Sequence, residues 1–415
     1  MEGMKRYVVP ILMFAMLLSF TLGFGVTTIK FMNFSSSGGN EKYLDQWKAA
    51  FEKQNPDIKV DIETIGFGDY FTKLATVIAG GNAPDVFELN FENFSTYASK
   101  GVLYNLSKLI QQTKYDLSVI NKNALAAFQV SGTQYGLPYS FSNVVLIYNK
   151  DLFDKAKVAY PTDRWTWTDV LNAAIKIRAL GPTIFGIYQP ITFNELYKMV
   201  QQNGGSVLNK DGTAFTLNSP ENVETLQYML DRVIKYNVMP NEAQLAGMGD
   251  WDLFISGRLG MIVTGSWAFP TFKEKANFDW DIAVEPGNKK KATHFFSNGL
   301  VMSKDTKNAE AAFKWMTFLS ANKDVAITRV NAGWELPAAM YPDVIQQYKM
   351  VTPPANKQAV FDSLNYLVTP PAIVEFQKVS DIVNKHLEAA VYGKKTAKQA
   401  LDDAQAELEK TIKLK

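Results

Sequence analysis

The chain contains no cysteine and only two histidines, His294 and His386, among its 415 residues. The first absence excludes disulfides, thiolate metal sites, thiol nucleophiles and lipid attachment through cysteine. The second leaves little for a histidine-rich zinc site or a histidine-dependent triad. Charge of one sign is also missing. Forty-three Lys and Arg against 41 Asp and Glu leave +2, so no global field draws the protein to nucleic acid, which is not an expected partner. There is no Walker A pattern, no His-Glu-x-x-His and no nucleophile elbow, and Gly66-Phe67-Gly68 lacks the third glycine of a dinucleotide fingerprint. No cofactor and no metal is expected. Carboxylate pairs for glycoside hydrolysis stay open, since 41 acids allow many pairs and sequence does not set their separation.

What is present is a folded composition, 47% hydrophobic and 20% charged, long enough for two or three domains at about 100–200 residues each. Lys5 and Arg6 precede an uncharged apolar run from Tyr7 to Ile29. With the small residues Gly23 and Gly25 near its end, the run reads as a signal peptide over residues 1–25, cleaved after Gly25. An uncleaved anchor is the alternative. Either way the bulk is expected outside the cytoplasm, periplasmic or extracellular, with no cysteine for a lipid anchor.

Periodicity then predicts a strand over Thr28–Phe34 and a helix carrying Leu44, Trp47, Ala50 and Phe51. A strand with Ile58, Val60 and Ile62 follows, then a helix to Ala79 and a strand at Val86–Leu89. This alternation favours an α/β lobe with a largely parallel sheet. The apolar run Val144–Tyr148 reads as a strand buried on both faces. Residues from about Asp151 to Met239 read as mostly helical, strands return at Leu259–Thr264 and Asp279–Val284, and the tail Asp381–Lys413 is helical.

Of the eight tryptophans, Trp47 and Trp315 lie on apolar helical stripes and read as core. Trp267 and Trp334 sit in Gly-containing loops, where a ring can face a cleft; for both, ligand and packing roles stay open. An aromatic plane with polar neighbours suits a sugar, whose C–H face packs on the ring while its hydroxyls need fixed donors and acceptors.

Several stretches carry a resemblance through their order and spacing. They are Gly80-Gly81-Asn82-Ala83-Pro84-Asp85-Val86, Tyr135-Gly136-Leu137-Pro138-Tyr139, Leu146 to Phe153, Gly265-Ser266-Trp267, Gly299 to Lys304, and the tail Gly393, Thr396, Ala400-Leu401 and Ala404. Together they resemble the extracellular solute-binding proteins of ABC importers, in the sugar-binding branch that includes maltose-binding protein. The resemblance implies an α/β, two-lobed periplasmic-binding-protein fold of type II, with a hinge and with ligand in the interlobe cleft. The lobes would be 26–139 with 286–336, and 140–285 with 337–415. Crossings are implied near Tyr139–Asn143, Glu285–Asn288 and Leu336–Ala338.

The implied function is to bind a sugar or oligosaccharide, without catalysis and as a monomer, and to deliver it to ABC transporter membrane permease subunits. The implied ligand-binding residues are Ser36 in the loop Asn33–Ser37, Asn90, Glu92 as acceptor of sugar hydroxyls, Ser142 and Asn143 at the hinge, Trp267 as the stacking ring, and Asn298 and Trp334 in cleft loops. For Glu92 the competing role is a helix-start carboxylate favoured by the macrodipole. The alternatives in function are an extracellular glycan-active enzyme, or a binding protein for a non-sugar solute such as a polyamine or a phosphorylated polyol.

Overall fold

The computed structural model describes residues 25–371 and 373–414. Apart from Gly25, the expected leader lies outside the described residues. The chain opens as the periodicities predict: β1 (Thr27–Asn33), α1 (Glu41–Gln54), β2 (Ile58–Thr64), α2 (Phe67–Ala79) and β3 (Val86–Asn90), followed directly by α3 (Phe91–Ser99). β1 lies between β2 and β3 and runs parallel to both, with Asn33 opposite Thr64 and Phe31 opposite Val86. Leu44, Trp47 and Phe51 form the buried stripe of α1, while Ala50 faces solvent. Loops at the carboxyl ends of such strands are where open α/β sheets bind ligands.

A strand at Gly136–Asn149, buried along its whole length, joins two lobes. Its first half pairs antiparallel with a return strand, Thr293–Met302, from Gly136 opposite Val301 to Asn143 opposite Phe295. Its second half pairs with the strands Leu259–Gly265 and Trp280–Ala283, beginning with Val144 opposite Gly265. The partners change between Asn143 and Val144, inside the expected first crossing. Alternation explains the apolar run. Phe141, Val145 and Ile147 face a core with the helices Pro342–Met350 and Gln358–Ser363, while Val144, Leu146 and Tyr148 face the helix Trp167–Arg178.

The second expected crossing is the loop Glu285–Asn288. That loop is held by the second lobe: Trp167 N donates to Gly287 O at 3.1 Å, Lys289 N to Gln202 O at 2.9 Å, and Asn288 Nδ2 to Asn203 Oδ1 at 2.7 Å. The return strand that follows begins beside Leu367–Val368 and ends beside β3. At the third crossing Leu336–Pro337 pairs with Phe141 and Ser140, and Leu367–Val368 later runs parallel to Thr293–His294. The helical stretch after Asp151 contains one strand, Phe185–Tyr188, too short for its periodicity to register. The tail is two helices, Phe376–Val391 and Ala397–Thr411, packed on each other.

Candidate functional site at the strand hand-over

Where the sheet passes from one lobe to the other, three strands align polar side chains. Asn90, at the end of β3, is opposite Asn298, and Asn298 is opposite Ser140. Two residues earlier on the return strand, Phe296 is opposite Ser142. Directly opposed residues share a face, so Ser142 lies with Phe296. Its neighbour Asn143 must point the other way, and does: Asn143 Nδ2 donates to Val360 O at 2.6 Å behind the sheet. The expectation that Asn143 faces the ligand is corrected by this alternation.

Glu92 occupies the first turn of α3 and is 8% exposed, with one carboxylate oxygen lacking any hydrogen-bond partner. Burial pushes its pKa up to about 7. Glu88, on β3, is likewise raised by burial to about 7, although its Oε2 accepts from the Phe34 and Ser35 N–H groups at 3.0 Å. For Glu92 the folded pKa lies above the ordinary 4.5, so folding takes up a proton between those values. The associated stability is intact below pH 4.5 and is lost as pH rises through 7. Glu92→Gln is therefore expected to gain on the order of 2–3 kcal/mol relative to the native chain on going from pH 5 to pH 8. Urea denaturation of both proteins at the two pH values checks this.

Two further expectations are corrected. Trp334 is 2% exposed, stacked on Trp47 at 6.1 Å and 7°, with the Arg329 guanidinium 4.1 Å from its ring. Gly333, at φ +67°, ends the preceding helix and turns the ring into the first-lobe core. The next residue, Glu335, is the one that reaches the polar row: it accepts from Ser140 Oγ and, at 3.4 Å, from Asn298 Nδ2. Trp334→Phe should cost about 1–3 kcal/mol of stability and leave ligand affinity unchanged, as calorimetry and denaturation on one preparation would reveal. Ser36 is fully buried and its hydroxyl donates to Asn33 Oδ1, which braces its own turn.

The second lobe and the return strand contribute aromatic rings. Trp267 follows the strand Leu259–Gly265 and is half-buried; it meets Phe296 edge-on at 5.5 Å. Phe296 stacks on His294 at 4.9 Å, and His294 meets Tyr197 at 4.9 Å. The band Trp267–Phe296–His294–Tyr197 thus adjoins the row Asn90–Asn298–Ser140. Gly265 makes the ring's position possible, because a Cβ there would run into the Trp267 six-membered ring.

Behind the band lies a buried charge network. Lys198 donates to Glu195 at 2.7 Å and to Glu285 at 2.8 Å, and His294 Nε2 is 3.1 Å from Glu195. Burial opposes ionisation of Glu195, but Lys198 and His294 outweigh it and hold Glu195 far below the usual carboxylate range. Burial, aided by the Lys198 charge, pulls His294 down to about 4, so it is neutral at physiological pH.

Four of the eight sequence-derived residues therefore meet at one junction, Asn90, Ser142, Trp267 and Asn298, and Glu92 lies in the first turn of the helix that follows Asn90. Phe296, Tyr197, Glu335 and Phe67 were not singled out. Phe67 opens α2 just beyond β2 and is 57% exposed, held edge-on by Phe34 at 5.3 Å and Phe71 at 5.6 Å. The available signal was an aromatic residue between two glycines directly after a strand.

The model of the bacterial extracellular solute-binding protein family matches residues 35–326. The chain belongs to that family. Among solved structures, it shares 49% identity with an ABC substrate-binding protein from Listeria monocytogenes in complex with cycloalternan, over 93% of this chain and 98% of that one, at a TM-score of 0.90. A solute-binding protein of a Thermotoga lettingae ABC transporter, bound with α-D-tagatose, is 25% identical over 92% of this chain and 99% of that one, with a TM-score of 0.81. The maltodextrin-binding protein of Bacillus subtilis is 26% identical over 90% of this chain and 88% of its own length. The two-lobed architecture of this solute-binding protein is that of these sugar-bound relatives.

Proposed function

We propose that this protein captures an α-glucan oligosaccharide between its lobes and presents the closed complex to the membrane permease of an ABC importer. The carrying observation is the meeting of Trp267 and Phe296 with Asn90, Ser142 and Asn298 at the hand-over between lobes, with Glu92 on the helix that follows Asn90. Flat rings serve the apolar faces of sugars, and amide, hydroxyl and carboxylate groups serve their hydroxyls. The bound sugars of the Listeria relative and of the Thermotoga relative, and the maltodextrin specificity in the name of the Bacillus relative, support the ligand class.

In this reading the protein acts as a secreted monomer, freed of residues 1–25, and by binding alone. Ligand touches both lobes, so it favours the closed form by the difference in its affinity for the two states. The first lobe is residues 26–139 with the chain from the middle of the return strand to 336, the crossing falling within that strand; the remainder forms the second lobe and the hinge. Phe67 adds a ring on the first-lobe rim. Phe67→Ala is expected to weaken sugar binding about threefold to tenfold with little change in melting temperature, since its ring is mostly exposed; isothermal titration calorimetry reads the first and a thermal scan the second.

A thermal-shift and calorimetry panel of cycloalternan, maltose and maltohexaose tests the function itself. Ligand at 100 times its dissociation constant adds about 2.7 kcal/mol of stability. A panel in which no sugar shifts melting or gives heat would sink the proposal.

A further inference from the structure

The row of polar side chains at the strand hand-over ends on a buried ion pair that the sugar contacts proposed above do not use. Glu335 is 6% exposed and immediately precedes the strand Leu336–Pro337, which lies beside Phe141 and Ser140. Its carboxylate reaches two neighbouring strands: Oε2 accepts from Ser140 Oγ, and Oε1 accepts from Asn298 Nδ2 at 3.4 Å. Arg329 supplies the counter-charge, with Nη1 3.5 Å from Oε2. The guanidinium is fully buried, 4.2 Å from the Tyr139 ring and 4.1 Å from the Trp334 ring, and among the described residues its one ion pair is with Glu335. A buried cation with a single anion holds that carboxylate in place.

This geometry decides which end of the Asn298 amide is free. A carboxylate offers only acceptors, so a neighbouring amide must turn its NH2 group to it. Asn298 Oδ1 is left over, and among the described residues it has no partner. Across the strand pair Asn90 stands directly opposite, with its Oδ1 occupied by Asn93 Nδ2 at 2.8 Å. Asn90 Nδ2 is likewise without a partner among the described residues. The two facing amides therefore offer one acceptor and one donor, on Cβ atoms about 5 Å apart. A hydroxyl can donate to the first and accept from the second. An amide already fixed in the bound orientation loses no freedom when ligand arrives, which raises affinity.

We infer that Glu335 is a positioning residue of the sugar site: it holds the nitrogen of Asn298 and so leaves the carbonyl oxygen to accept a sugar hydroxyl beside the donor of Asn90. The inference rests on the sugar-binding reading above. Glu335 acts through Asn298 and does not itself touch the sugar, while Arg329 keeps the carboxylate where the amide needs it.

Calorimetry with maltohexaose and cycloalternan on the native chain, Asn298→Ala, Glu335→Gln and the variant carrying both changes tests it. Glu335→Gln leaves Arg329 without its anion, so a melting curve accompanies each titration. If that variant does not melt cooperatively, Arg329→Met with Glu335→Leu, which removes both buried charges, takes its place with and without Asn298→Ala. The expected loss of affinity is about tenfold for Asn298→Ala and about threefold to tenfold for Glu335→Gln, the scale of one hydrogen bond lost or misdirected. Once Asn298 is alanine, the change at Glu335 should alter affinity by less than about twofold, because its effect runs through the missing amide. Losses that multiply in the combined variant, or no loss with either single change, would overturn the positioning role and leave the sugar reading intact. Failure of the native chain to bind either sugar would overturn both.

Discussion

Replacing Trp267 with alanine is expected to weaken oligosaccharide binding by about 2–4 kcal/mol, roughly 30- to 700-fold, the range for a central aromatic contact. The ring is half-buried and meets Phe296 edge-on, two residues along the strand from Asn298. Gly265→Ala should act in the same direction without touching ligand, because the added methyl group would displace the ring. Calorimetry on both variants checks the pair. If Trp267→Ala bound within threefold of the native chain, the ring would be a packing residue.

Lys198→Met should cost about 3–5 kcal/mol of stability, the price of leaving buried carboxylates unpaired. Lys198 is fully buried between Glu195 and Glu285, and among the described residues no other lysine or arginine bonds either carboxylate. The loss should be largest at pH 7.5 and shrink toward pH 5. Without the cation, burial raises the carboxylate pKa values, so the stability of the variant falls as pH climbs through them. Urea unfolding at both pH values gives the test; a pH-independent loss would mean that Lys198 contributes by packing. Because His294 joins this network to the aromatic band, the variant should also bind sugar more weakly.

The opening α/β alternation was legible because its helices and strands each bury one face, so Leu44, Trp47 and Phe51 repeat at helical spacing and Ile58 and Val60 alternate. The hand-over strand was legible for the opposite reason: burial on both faces leaves an unbroken apolar run at Val144–Tyr148. The same strand hid which polar residue shares a face with Phe296. Ser142 and Asn143 are adjacent, and only the pairing with Phe296 and Phe295 separates them. Trp334 misled because a loop position does not reveal the direction of a ring, which here follows from the left-handed Gly333 and the waiting Trp47 and Arg329. His294 was unremarkable as an isolated histidine; its role exists only through Glu195, far away in sequence. The resemblance to ABC solute-binding proteins pointed to loops that adjoin this junction, while the placement of each side chain within them required the register.

The central claim is that one carbohydrate is held by both lobes at the strand hand-over. A crystal structure of the protein with bound maltohexaose or cycloalternan tests it most directly. The expected result is a sugar ring on Trp267 and hydroxyls within hydrogen-bond distance of Asn90, Glu92 or Asn298. A sugar bound on the outer surface of either lobe, with these side chains still in contact only with protein, would contradict it.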